Sequence, residues 1–160
     1  SDTHFVNRFL TRPSSTMALG LNNPVELISA VASMTVGGIL ERFPRLRVAV
    51  LEGNCAWLPW LLWRLDEYWE MCRGGEEAKL QALPSEYFRR QCFISVDPDE
   101  DQVEWVIRKL GDDTIVFSTD YPHSDSRFPE ATAVFLKLPI PGESKRKILW
   151  DNCARLYGIG

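Results

Sequence analysis

The stretch TIVFSTDYPHSD, residues 114–125, decides how this chain is read. TIVFST, 114–119, is a short apolar, β-branched run that fits a strand, and it leads straight into an acid, Asp120. A Tyr-Pro turn, His123 and a second acid, Asp125, follow at once. Side chains that bind metals or handle protons therefore stand where a strand ends and a loop begins. In parallel α/β proteins chemistry sits there, at the carboxyl ends of the strands.

Two further stretches read the same way. LRVAVLE, 46–52, fits a strand buried on both faces, and CFISV, 92–96, fits the next strand. NNPVELISAVASMTVGGILERFP has the marks of a helix, with Asn23 as cap, Pro24 in the first turn and Pro44 ending it. Gly37 and Gly38 weaken that helix locally, with close packing as the structural reason. WLPWLLWRLDEYWEMC, 57–72, places Leu58, Leu61, Leu62, Leu65 and Trp69 on one helical face, with Trp60 and Trp63 off it. A helix apolar almost all round predicts a second covering surface. A short helical turn is expected near 84–90, and PDEDQVEWVIRKLGDD forms a helix with acids in its first turn and an apolar stripe of Val103, Val106, Ile107 and Leu110. Helices near 129–137 and 143–157 follow, the last broken around Asp151–Asn152. Alternating strands and helices with continuous apolar strands imply parallel βαβ units. Residues 1–21 read as an N-terminal arm and 22–160 as the domain.

Composition narrows the function classes. A net charge of −4 without a basic block argues against nucleic acid as a partner. No leader and no apolar stretch long enough for a membrane are expected. Four cysteines without a C-x-x-C pair read as buried, reduced thiols in a cytoplasmic chain. The absence of G-x-G-x-x-G and of a P-loop sets aside a doubly wound domain for phosphorylated ligands. The first residues lack a methionine, which is expected of a piece of something larger.

Glu52 follows the first strand, Asp97 the second and Asp120 the third, with Asn54 and His123 just beyond two of these ends. Three carboxylates converging on one rim repel one another unless they share a cation or a proton, so the rim is a candidate metal or acid/base site. The competing readings are ordinary: acids cap helices and start loops, and His123 suits a loop bonded to backbone. Asp125 fits a turn cap before Pro129, His4 carries no site reading, and the tryptophan helix suits core or interface better than nucleobase stacking.

ILERFPRLRVAVLEGNCAWLPWLLWRLDE, VFSTDYPHSDSRFPEA and ILWDNCARLYGI, in that order, resemble the amidohydrolase-related (amidohydrolase 2) family over residues 22–160. The resemblance implies the C-terminal part of a (β/α)8 barrel, with 46–52, 92–96 and 114–119 as its sixth to eighth strands. It implies a metal-dependent hydrolase or decarboxylase acting on a small organic substrate. Asp120 matches the family's metal-binding aspartate on the eighth strand, and the metal is usually zinc; a carboxylate-only rim would suit manganese or magnesium. The family's His-x-His pair would lie upstream of residue 1, and the histidine typical after the sixth strand is replaced by Glu52-Gly53-Asn54. The expected roles are therefore Glu52 and His123 in proton transfer, Asn54 and Asp97 in substrate binding, and Asp120 on the metal. With so few ligands, the metal is expected to bind weakly or be missing from these residues alone, with little activity. An open sheet edge predicts a homo-oligomer or pairing with an N-terminal half. The alternative is a non-catalytic binding or assembly domain that keeps the fold without the metal site.

Overall fold

The computed structural model describes residues 15–72, 80–124 and 126–159. Its elements in chain order are α1 (Ser15–Thr35), α2 (Ile39–Arg42), β1 (Val48–Val50), α3 (Leu58–Cys72), α4 (Pro84–Gln91), β2 (Cys92–Val96), α5 (Val103–Leu110), β3 (Ile115–Phe117), α6 (Ala131–Phe135), α7 (Gly142–Arg146), a π-helical turn (Lys147–Asp151) and α8 (Asn152–Tyr157). The strands make one parallel sheet in the order β1-β2-β3. Val48 pairs with Cys92 and Val50 with Ile94; Ile94 then pairs with Ile115 and Val96 with Phe117. Each strand connects to the next through helices, as the alternation predicts.

β2 is central and buried at all five positions. Removing side chains such as Ile94 and Val96 from water contributes about 1.5–3 kcal/mol each. β1 behaves differently. Ala49 and Leu51 are exposed, so the expectation of a strand buried on both faces is corrected. Both β1 and β3 pair on one side only, but β3 is packed under the π-helical turn and α8, whereas β1 has no comparable helix packing among the described residues.

α1 extends further toward the N-terminus than expected. It takes in residues 15–21, and Pro24 lies inside it rather than in its first turn. A proline there removes one ladder bond, to the carbonyl of Gly20. Met17 and Leu21 remain exposed, so these early turns rest on the backbone ladder more than on the core. The glycine pair does more than weaken this helix; it ends it. Gly38 has φ 76°, and a Cβ on Gly37 would come within 2.2 Å of the Ser33 carbonyl oxygen. The chain turns there and restarts as α2.

α3 buries Leu58, Pro59, Leu61, Leu62 and Trp69, close to the expected face. Trp60 and Trp63 stay 52% and 55% exposed, so the second covering surface is not found among the described residues. α4 is more than a polar connection: Tyr87 and Phe88 are fully buried, and Tyr87 Oη donates to Glu41 at 2.5 Å while accepting from the amides of Gln81 and Ala82. The expected break near Asp151–Asn152 is the end of the π-helical turn. Asn152, 3% exposed, donates through Nδ2 to the carbonyls of Asp112 and Ile115, both at 2.7 Å, and so ties α8 to the start of β3. Of the four cysteines, all free, Cys55 and Cys92 are buried but Cys72 is exposed, because it lies on the outer side at the end of α3. His4 and Asp125 lie outside the described residues.

Candidate functional site at the strand ends

β1 passes into Leu51, Glu52, Gly53 and Asn54, and two of these four carry left-handed backbone without being glycine: Glu52 at φ 66° and Asn54 at φ 56°. Asp120, beyond β3, is the third non-glycine residue of this kind, at φ 57°. Asparagine and aspartate tolerate this region through local hydrogen bonds, whereas glutamate gains little such relief. Strain of this kind costs about 1–3 kcal/mol per residue and clusters at functional sites. Gly53 is buried between the first two; a Cβ there would come within 2.3 Å of Leu27 in α1. Trp57 Nε1 donates to the Gly53 carbonyl at 2.7 Å and closes the loop.

The loop after β1 reaches the loop after β2. Asn54 Nδ2 donates to Asp97 Oδ2 at 2.6 Å. Glu100, which the sequence reading did not select, accepts the amides of Cys55 and Ala56 on Oε1 at 2.8 and 3.1 Å and that of Asp97 on Oε2 at 3.3 Å. Its signal was present: Asp97-Pro98-Asp99-Glu100 has capping-box spacing, with the glutamate reaching back to the amide three residues earlier. Burial pushes the Glu100 carboxyl above its ordinary value, and the charge of Asp97 adds to this against the donated N–H bonds. Burial, then the negative charges of Glu100 and Asp97, push the Cys55 thiol upward and keep it unreactive.

After β3, His123 Nδ1 lies 3.0 Å from Asp120 Oδ1, and the His123 amide donates to the Asp120 carbonyl at 3.0 Å. With Nδ1 donating its proton, Nε2 is left as an acceptor on an exposed ring, the arrangement of a carboxylate-oriented base. Ser126 Oγ donates to the Thr119 carbonyl at 2.6 Å and holds the loop down. Arg127 then reaches back to the β2 loop, its Nε and Nη2 donating to Asp99 Oδ2 at 3.0 and 2.5 Å. Asp97, Asp99, Thr119, Asp120 and Arg127 line a polar pocket of about 130 Å³.

The expected rim is thus assembled in two parts. Asn54 joins Asp97, Asp120 joins His123, and the two aspartates share one pocket. Glu52 stands exposed at the end of β1 and does not line that pocket, which corrects the expectation of three converging carboxylates. Its backbone is left-handed, at φ 66°. Among the described residues no three His, Cys, Asp or Glu side chains gather closely enough to hold a metal ion. Asp120 has a second carboxylate oxygen beyond its bond to His123, but as one ligand it does not close a metal centre. A larger apolar groove of about 690 Å³, lined in part by Trp60, Trp63 and Trp105, lies between α3, α4 and α5, away from this rim.

A parallel β/α sheet with acids and strained backbone at its carboxyl rim defines part of an amidohydrolase-type β/α barrel. The chain belongs to the amidohydrolase family, whose model matches residues 14–159. It is 26% identical over 140 residues to the 2-amino-3-carboxymuconate-6-semialdehyde decarboxylase of Caenorhabditis elegans, covering 85% of this chain and 34% of that protein. The 5-carboxyvanillate decarboxylase of Sphingomonas paucimobilis superposes with a TM-score of 0.69 at 27% identity, over 92% of this chain and 43% of that one. The fold is also shared with a dihydroxybenzoic acid decarboxylase of Polaromonas solved with bound manganese, at a TM-score of 0.66 and 22% identity, over 91% of this chain and 42% of the other. The chain therefore spans between a third and a half of the proteins it matches. No helix of the described residues is long and apolar enough to cross a membrane.

Proposed function

We propose that this chain is the C-terminal part of a metal-dependent carboxy-lyase for a small carboxylated organic substrate. One observation carries the reading: Asp120, in left-handed backbone at the end of β3, presents its carboxylate beside His123 in a polar pocket at the strand ends. Asp120 is one ligand of a divalent ion whose remaining ligands come from outside the described residues. The manganese held by a similar decarboxylase supports manganese, rather than the zinc usual in the family, as that ion. His123, oriented by Asp120, accepts or returns a proton through Nε2. Glu52 occupies the place of the family's histidine after the sixth strand, as a proton-transfer group. Asn54 and Asp97 hold the substrate's polar groups across the β1–β2 gap.

The chain alone is expected to hold manganese weakly and to turn over no carboxylated substrate. On a barrel completed by the missing strands, Asp120→Asn should lower turnover at least about a hundredfold and remove the manganese. Unchanged turnover would take Asp120 out of the metal site and with it this reading. Unchanged turnover in Glu52→Gln would remove only Glu52. The non-catalytic alternative is favoured by one observation, the lack of any three-ligand cluster among the described residues; a completed barrel that binds no manganese would establish it.

A further inference from the structure

We infer that Glu100 is the positioning residue of the substrate-facing rim: it clamps the strained loop after β1 to the loop after β2, and so sets Asn54 against Asp97. The inference rests on the reading of that rim as substrate-facing. The geometry is specific. A single carboxylate takes three backbone amides from two loops, those of Cys55 and Ala56 on one oxygen and that of Asp97 on the other. The same oxygen that takes Asp97 lies 3.5 Å from Asn54 Nδ2, so the side chain also stands behind the Asn54–Asp97 bond.

Without such a clamp the loop has little reason to keep its shape. Glu52 and Asn54 are both in left-handed backbone, and Asn54 is exposed, so their conformation is imposed from beyond the loop's own preferences. Gly53 packs on Leu27 from one side, and Glu100 supplies the hold from the other. Cys55 and Ala56 lie just before α3, in the turn where the Leu58 amide donates to the Cys55 carbonyl, and their own amides donate to Glu100 at the entry of the helix. A carboxylate is the acceptor such donors favour. Glu100 therefore does for α3, across the sheet, what a local capping side chain does elsewhere, and in doing so it couples the two loops.

Amide hydrogen exchange on the chain tests this without any ligand. In Glu100→Ala, the Cys55, Ala56 and Asp97 amides should exchange at least about tenfold faster, while Ile94 and Ile115 keep their protection. The side-chain amide resonances of Asn54 should move toward those of a free asparagine. Glu100→Gln keeps the volume but replaces one acceptor oxygen with a donor, so it should restore protection on one loop and leave the other fast. If Glu100→Ala does not fold, the one-sided loss in Glu100→Gln carries the test. Unchanged exchange at Cys55 and Ala56 would overturn the inference. So would an equal rise across β2 and β3 in both variants, which would make Glu100 a general stabiliser. Either failure would leave the metal reading of Asp120 untouched, since that is tested by turnover and metal content.

Discussion

Asp112 and Glu100 show how two carboxylates that burial pushes the same way can end on opposite sides of the ordinary value. Burial raises both, but at Asp112 bonds from Lys147 Nζ at 2.9 Å and Ser144 Oγ at 2.7 Å outweigh it and hold the carboxyl below its ordinary value. Asp112 therefore binds its proton less tightly in the folded chain than in the unfolded one. Its stabilisation is present above the ordinary carboxylate range and is lost as pH falls through the lowered value. Glu100, with its raised value, has the reverse dependence: its contribution is complete in acid and is lost as pH rises through that value. Asp112→Asn should cost about 1–3 kcal/mol at neutral pH, and the gap from the parent chain should close in acid. Urea midpoints measured across pH would show it; a gap constant into acid would mean that Ser144 and Lys147 find equivalent partners elsewhere.

At the level of elements, Asn152 is the side chain most exposed to a simple test. It satisfies two carbonyls, one just before β3 and one at its first residue, from the first position of α8. Asn152→Ala leaves both without that donor and should lower stability by about 1–3 kcal/mol, read as a lower urea midpoint at unchanged slope. The sequence made the sheet legible because apolar, β-branched runs such as Cys92–Val96 have few other uses in a short segment. It made the end of α1 illegible because a glycine pair can serve close packing or a left-handed turn, and only the φ of Gly38 decides. At the rim, acids at strand ends were visible as a pattern. Glu100 was visible only through its capping-box spacing to Asp97; its other partners, Cys55 and Ala56, lie 45 and 44 residues away and meet it only through the fold. That Glu52 does not line the pocket of Asp97 and Asp120 was not legible, because strand order fixes where a residue stands but not its backbone angle, which here is left-handed.

Among the described residues the molecule is an open sheet whose two edges, β1 and β3, lack strand partners, beside a helix that exposes two tryptophans. Unpaired edges and exposed apolar patches both favour association. Light scattering on the purified chain should therefore give a mass of at least two copies, falling toward one only on dilution. A monomer at all concentrations that still unfolds in one cooperative step would show that three parallel strands and their helices suffice alone. The family's barrel offers a physical account of the same surface, since a closed barrel leaves no edge.

The three left-handed residues at the rim carry a consequence for how this protein can change. Glycine at Glu52, Asn54 or Asp120 would relieve backbone strain, so any selection for a sturdier chain is drawn toward those positions. Each such gain would erase a rim side chain. Under the proposed function, robustness and chemistry compete for the same residues, and a lineage freed of that function would be expected to soften here before its core drifts.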